Sequence, residues 1–154
     1  MRIDEYAAAY KASTEVFLDL ADSVTAEQLD ICEVEGWSAR QIIHHMADSE
    51  AQSYARLRRL IAEPEGSVIQ GYDEAAWADC ITLGYRDLAI DNAIAVIRSV
   101  RAASLDVIVR LEEVDLHRFG MHSESGVYTV RDWLQTYVAH PRDHAAQMQL
   151  AVGT

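Results

Sequence analysis

The chain has few of the residues that interrupt regular structure. Two prolines and seven glycines are spread over 154 residues, so long stretches run without the punctuation that ends helices. Cysteine is nearly as scarce: Cys32 and Cys80 stand alone, with no CxxC spacing, and no disulfide framework is implied. No apolar run approaches the roughly 18 residues that a membrane-spanning helix needs. The opening MRIDEYAAAY lacks the apolar segment of a secretory signal. Positive charge is also in deficit, with 13 Lys and Arg against 25 Asp and Glu and a formal net charge of −12. That balance excludes a binder of nucleic-acid backbones, which needs a basic face, and makes anionic membranes a poor partner. The expectation is a soluble, cytoplasmic protein.

What remains is rich in helix-forming pattern. Half of the residues are hydrophobic, enough for residues 1–154 to form one domain around one core. A first helix is expected from Ile3 to about Leu20, with Tyr6, Tyr10, Phe17 and Leu20 on its apolar stripe. The segment TAEQLD then has capping-box spacing from Thr25 to Gln28. The second helix starts at Ser38, with Gln41 as its capping partner, and ends near Glu63, before Pro64. Trp37 precedes that cap and fits a hydrophobic staple against Ile42. A third helix is expected over about Leu88–Leu111. A fourth follows Thr129 and runs to about Val152, with Asp132 in its first turn. Residues 64–87 carry a short amphipathic piece, YDEAAWADCI. Residues 114–129 lack helical period and suit a hairpin-like excursion. The fold class is therefore all-α: a four-helix bundle with a long connection between its third and fourth helices.

The chemistry rests on histidines. In HPRDH, His140 and His144 are four apart on the fourth helix, on one flank of the stripe made by Leu134, Tyr137, Val138, Met148 and Val152. His144 is nearer the core. Imidazoles at this spacing stack on one side and can converge on one ion; they also suit a packed polar pair. Pro141 between them removes a helical N–H and crowds the carbonyl of Tyr137, at a cost of about 3 kcal/mol in a regular helix. A third ligand would come from the second helix, where His45 projects to the flank of the stripe of Ile42, Ile43, Met46, Leu57 and Leu60. His44 projects further outward. Glu50 falls within the apolar stripe, where a carboxylate wants a partner or a metal. Asp48 is placed to orient an imidazole. His117 and His122 lie in the irregular stretch, with His122 able to reach the mouth of such a site.

GWSARQIIHHMADSE at 36–50 resembles the second-helix signature of the DinB/YfiT-like metalloenzyme superfamily, closest to its YfiT branch. YDEAAWA at 72–78 and YVAHPRDHAAQM at 137–148 resemble two further segments of that branch, in the same order. The resemblance implies a four-helix bundle with a histidine triad at one end, carried here by His45, His140 and His144. It implies a divalent metal, zinc or nickel, with water completing its shell, and a homodimer. The implied activity is hydrolysis of a small-molecule substrate or transfer of a low-molecular-weight thiol. The alternative is a non-catalytic metal- or thiol-binding protein of stress response or detoxification. Two positions depart from the branch: Glu50 stands where it typically has histidine, and Asp143 where it tends to have a second histidine. Glu50 and Asp48 are the general-base candidates in the sequence.

Overall fold

A computed structural model describes residues 1–32 and 36–153. Four long helices dominate: α1 (Ile3–Ser23), α2 (Ala39–Ala62), α4 (Asp91–Ile108) and α5 (Val130–Val152). A short α3 (Glu74–Asp79) and two 3-10 turns, Ile81–Leu83 and Glu113–His117, lie in the connections. No helix among the described residues is long and apolar enough to cross a membrane.

Local chemistry sets the helix starts. Ser38 Oγ accepts from the Gln41 N–H, and Gln41 Oε1 accepts from the Ser38 N–H. Thr129 and Asp132 make the same reciprocal pair at the head of α5. Each box satisfies two N–H groups that the first helical turn leaves without partners. The Thr25 N–H likewise donates to Gln28 Oε1. α4 is shorter than its pattern suggests, starting at Asp91 rather than Leu88 and ending at Ile108 rather than Leu111. The carbonyl of Leu88 is taken by Arg40 and faces His44, both from α2, so tertiary contacts hold this residue outside the helix.

Two apolar clusters fill the bundle. One contains Phe17, Ile42, Ile43, Met46, Ile97 and Met148. The other contains Tyr6, Tyr10, Leu57, Ile108, Trp133 and Leu134. α2 and α4 give their N-terminal halves to the first cluster, whereas α1 and α5 give it their C-terminal halves. Hence α1 and α5 run one way and α2 and α4 the other. α1 packs on α4 and α5, and α2 packs on the same two helices. Two neighbouring pairs are thus parallel, and the bundle is not a plain up-down-up-down chain.

Parallel neighbours need crossing connections, and these carry a small sheet. The hairpin expected over 114–129 is β2 (Phe119–His122) and β3 (Gly126–Thr129). A two-residue strand, β1 (Val68–Ile69), adds to β2 in parallel, pairing Ile69 with His122. Gly120 permits this approach: a Cβ there would lie 2.6 Å from the Ile69 side chain and 2.7 Å from the Ser67 carbonyl. The sheet closes over the side of the bundle where α2 meets α5.

Candidate metal centre

Between the two apolar clusters the bundle turns polar. α5 gives Tyr137 to one cluster and Ala145 to the other, and His140 and His144 fall between them. The histidine cluster therefore sits part-way along α5 rather than at its tip. From α2, about two turns past the Ser38 cap, His45 points into the same layer and is 1% exposed.

The three rings converge through their Nε2 atoms. His45 Nε2 lies 3.1 Å from His144 Nε2, which lies 3.0 Å from His140 Nε2. Their ligand atoms all fall within 4.8 Å of one another. Two nitrogens each about 2.1 Å from one ion, at roughly right angles, are about 3 Å apart. The spacing therefore matches ligands on one face of a single ion.

The proton bookkeeping supports that fit. Gln147 Oε1 sits 2.8 Å from His144 Nδ1. An amide oxygen only accepts, so His144 carries its proton on Nδ1 and turns the Nε2 lone pair inward. One lone pair cannot satisfy both neighbouring rings. Nδ1 of His45 and of His140 are buried without a hydrogen-bond partner. A cation at the point of convergence would be held by the three inward Nε2 lone pairs, with His45 and His140 then carrying their protons on Nδ1.

Burial favours the neutral form that a metal requires. It pushes His45 down to about 4, with the neighbouring His144 adding to the effect. His140 is pushed down to about 2 by burial, His144, His45 and Arg101. His144 is also lowered by burial, against an upward pull from the Gln147 hydrogen bond. Trp37 closes one wall, its ring 4.9 Å from that of His45. It packs on this ring as well as joining the Ile42 cluster.

A cleft of about 200 Å³ opens beside His140, lined also by Ser49, Arg56, Tyr72, Glu74, His122 and Glu124. A larger depression, about 530 Å³, runs past Ala78–Ile81 and Gly84–Asp87 and includes none of the three histidines. In the cleft, Ser49 Oγ lies 3.5 Å from His140 Nε2. Arg56 is anchored through Tyr137 Oη and the Gln70 carbonyl. Burial and the charge of Glu74 hold the Tyr72 phenol above its ordinary range, so it remains a donor. His122 accepts the Glu124 N–H at Nδ1, which leaves its proton on Nε2.

The remaining candidates fall elsewhere. His44 faces the Leu88 carbonyl and stacks on Tyr85. His117 is exposed at the end of a 3-10 turn. Asp48 accepts from the Tyr85 hydroxyl and orients no imidazole. Glu50 is fully buried, bound to Arg101 Nη1 at 2.7 Å and to Ser53 Oγ at 3.0 Å. Its partner is a cation from α4, not a metal. Sequence reasoning missed Arg101 and Gln147. Arg101 lies on the inner face of α4 at 3–4 spacing with Ile97, Ser104 and Ile108, which would have revealed it. Gln147 lies three residues past His144, on the same side of α5.

The chain belongs to the DinB superfamily, whose family model matches residues 9–148. A protein of Oceanobacillus iheyensis named "Putative metal-dependent hydrolase OB0782" is 33% identical over 113 residues, covering 73% of this chain and 63% of that protein. One of Bacillus mycoides, named "Putative metal-dependent hydrolase BcerKBAB4_2443", is 31% identical over 115 residues, covering 75% and 64%. The match thus spans a little under two thirds of these relatives' length. Among solved structures, YfiT from Bacillus subtilis, described as "a probable metal-dependent hydrolase with an unusual four-helix bundle topology", superposes with a TM-score of 0.85. It does so over 98% of this chain and 87% of that one, at 24% identity. The fold is therefore that of the YfiT-like bundle.

Proposed function

We propose that the protein is a divalent-metal-dependent hydrolase acting on a small molecule bound in the cleft beside His140. His45, His140 and His144 would hold the ion. The observation that carries this reading is the convergence of three Nε2 atoms, two of their separations being 3.0 and 3.1 Å, in a buried layer that keeps the rings neutral. All-imidazole ligation suits zinc or nickel. A cation on three neutral ligands supplies Lewis acidity at its open positions.

The side chains of the cleft do the rest. Tyr72, Arg56 and His122 Nε2–H offer hydrogen bonds to a polar substrate. Glu50 is closed off as a base, since both its oxygens are bound within the core. Glu74 lines the cleft with His140 and acts on the charge of His144. Of the two cleft carboxylates, Glu74 and Glu124, Glu74 is the one whose charge acts on His144, and it is the general-base candidate of this proposal. The names of the relatives favour hydrolysis over thiol transfer, which the same site would permit if a thiol took the place of water. A homodimer is part of the same proposal and is read by sedimentation.

The test is metal analysis of gently purified protein, followed by turnover against ester, amide and thiol-plus-electrophile panels. One equivalent of Zn or Ni, and hydrolysis lost on chelation with the fold intact, are expected. Glu74→Gln should keep the metal and lose about 10²- to 10⁴-fold in kcat, as general-base removal does. Protein that takes up no metal, or metal-loaded protein inert on every panel, sinks the reading as an enzyme.

A further inference from the structure

Pro141 lies within α5, between two of the three histidines. It has no N–H, so the carbonyl of Tyr137, four residues earlier, loses its helical donor. That carbonyl is buried and needs another. Arg101 Nη2 supplies it from α4, at 3.1 Å. Arg101 is 1% exposed. Its guanidinium also reaches Glu50 Oε1, the Tyr10 carbonyl, Ser13 Oγ and Thr14 Oγ1, and lies 3.7 Å from the centroid of the Tyr10 ring. Glu50 is itself fixed by Ser53. The group that replaces the missing helical bond is thus held from three helices at once.

We infer that Arg101, anchored by Glu50, is a positioning residue for the metal centre: it takes the Tyr137 carbonyl that Pro141 frees and so fixes the course of α5 between Tyr137 and His144. This rests on the reading of the three histidines as metal ligands. The geometry leaves little slack. His140 is three residues past the held carbonyl, and its Nε2 must stay about 3 Å from that of His144 to share an ion. Ligands need placement to within about 0.5 Å. A proline without a substitute donor would leave this turn of α5 free to bend. Arg101 turns the break into one fixed geometry.

Arg101→Lys keeps the positive charge beside Glu50, but one ammonium cannot reach both Glu50 and the Tyr137 carbonyl with the planar fork of arginine. Pro141→Ala restores the helical N–H to that carbonyl. The measurement is titration of metal-free protein with Co²⁺, reading affinity and the visible spectrum of the bound ion. Melting of the metal-free protein is followed alongside. Arg101→Lys is expected to weaken Co²⁺ binding about 10- to 100-fold, the usual effect of losing a group that orients ligands, and to change the spectrum. Pro141→Ala is expected to shift the spectrum on its own, and Arg101→Lys to cost less in that background than in the wild type. A purely structural role predicts a lower melting temperature with wild-type affinity and spectrum in the folded protein, and that result overturns the inference. If Arg101→Lys does not fold, Pro141→Ala decides: an unchanged spectrum and affinity overturn it, and changed ones support it. Wild-type protein that binds no Co²⁺ overturns the metal reading and this inference together. Wild-type binding with indifferent variants overturns this inference alone.

Discussion

Two buried polar clusters lie side by side in the layer between the apolar halves of the bundle, and they are resolved in opposite ways. Arg101 and Glu50 saturate one another: the guanidinium meets five acceptors, and both carboxylate oxygens are bound. The three histidines do not. Their inward nitrogens crowd one point, and two outward nitrogens have no partner. Burial disfavours the charged form of Glu50 and of the three histidines alike in direction. A saturated one is complete as folded, whereas three Nε2 atoms aimed at a single point form the arrangement that the proposed ion would fill. This contrast separates structural from chemical polarity in the core better than burial does.

The largest effect should come from removing a convergent lone pair. His45→Ala, and equally His140→Ala, is expected to abolish stoichiometric metal binding while the bundle stays folded, because its two apolar clusters lie outside the histidine layer. Metal content and circular dichroism check this together. Full metal occupancy in His140→Ala would break the comparison at its root.

Next comes the saturated cluster. Arg101→Met leaves Glu50 buried and the Tyr10 and Tyr137 carbonyls short of a donor, and should cost about 3–5 kcal/mol of stability by denaturant unfolding. Burial already pushes the Glu50 carboxyl above its ordinary range. Without Arg101 it would bind a proton in the folded state at pH values where the unfolded chain has released it. The loss should therefore be smaller near pH 5 and grow toward pH 8. A loss independent of pH would mean that the carbonyls, not the carboxylate, carry the cost.

Acidification of the metal-free protein probes the histidines in the same currency. The folded value for His45 is about 4 against the ordinary 6.5, so between these limits the unfolded chain binds protons that the folded chain refuses. Stability should fall as pH drops below about 6.5, by up to about 1.4 kcal/mol per pH unit for each such histidine. His45→Ala should flatten the slope, and an unchanged slope would place the acid sensitivity outside the triad.

How much of this was legible beforehand follows from the range of each interaction. The starts of α2 and α5 are written in four residues each, Ser38–Gln41 and Thr129–Asp132, and are read directly. His140 and His144 are one helical turn apart, so their pairing is local too. His45 emerged from helical projection and from the resemblance to DinB/YfiT-like proteins. The local pattern puts the start of α4 at Leu88, but Leu88 is held by residues of α2, over forty positions away. β1 was invisible because two residues carry no periodicity and pair only with a distant strand. Glu50 stands out on the apolar stripe of α2, but its explanation lies 51 residues further on, in Arg101. Local chemistry specifies the four long helices, apart from the ends of α4, and the pairing of two of the three histidines. The partners of the buried charges depended on packing that one helix alone does not disclose.

The smallest effect should fall on Gln147, which belongs to neither cluster yet touches one. It is half-buried, and its Oε1 holds the Nδ1 proton of His144. Gln147→Leu keeps much of the side-chain volume and removes the acceptor. Stability of the metal-free protein should change by less than about 1 kcal/mol, the scale of one hydrogen bond at a partly exposed site. Metal affinity should fall about tenfold, because the ring loses the contact that fixes its tautomer and aim. Gln147→Glu should restore much of that loss, since a carboxylate accepts from Nδ1 more strongly than an amide does. Measured by competition with a chelator, the series glutamine, leucine and glutamate separates orientation from bulk. If leucine binds metal as well as glutamine does, His144 is held by its packing, and saturating the outer nitrogen is no part of how this cluster differs from its neighbour.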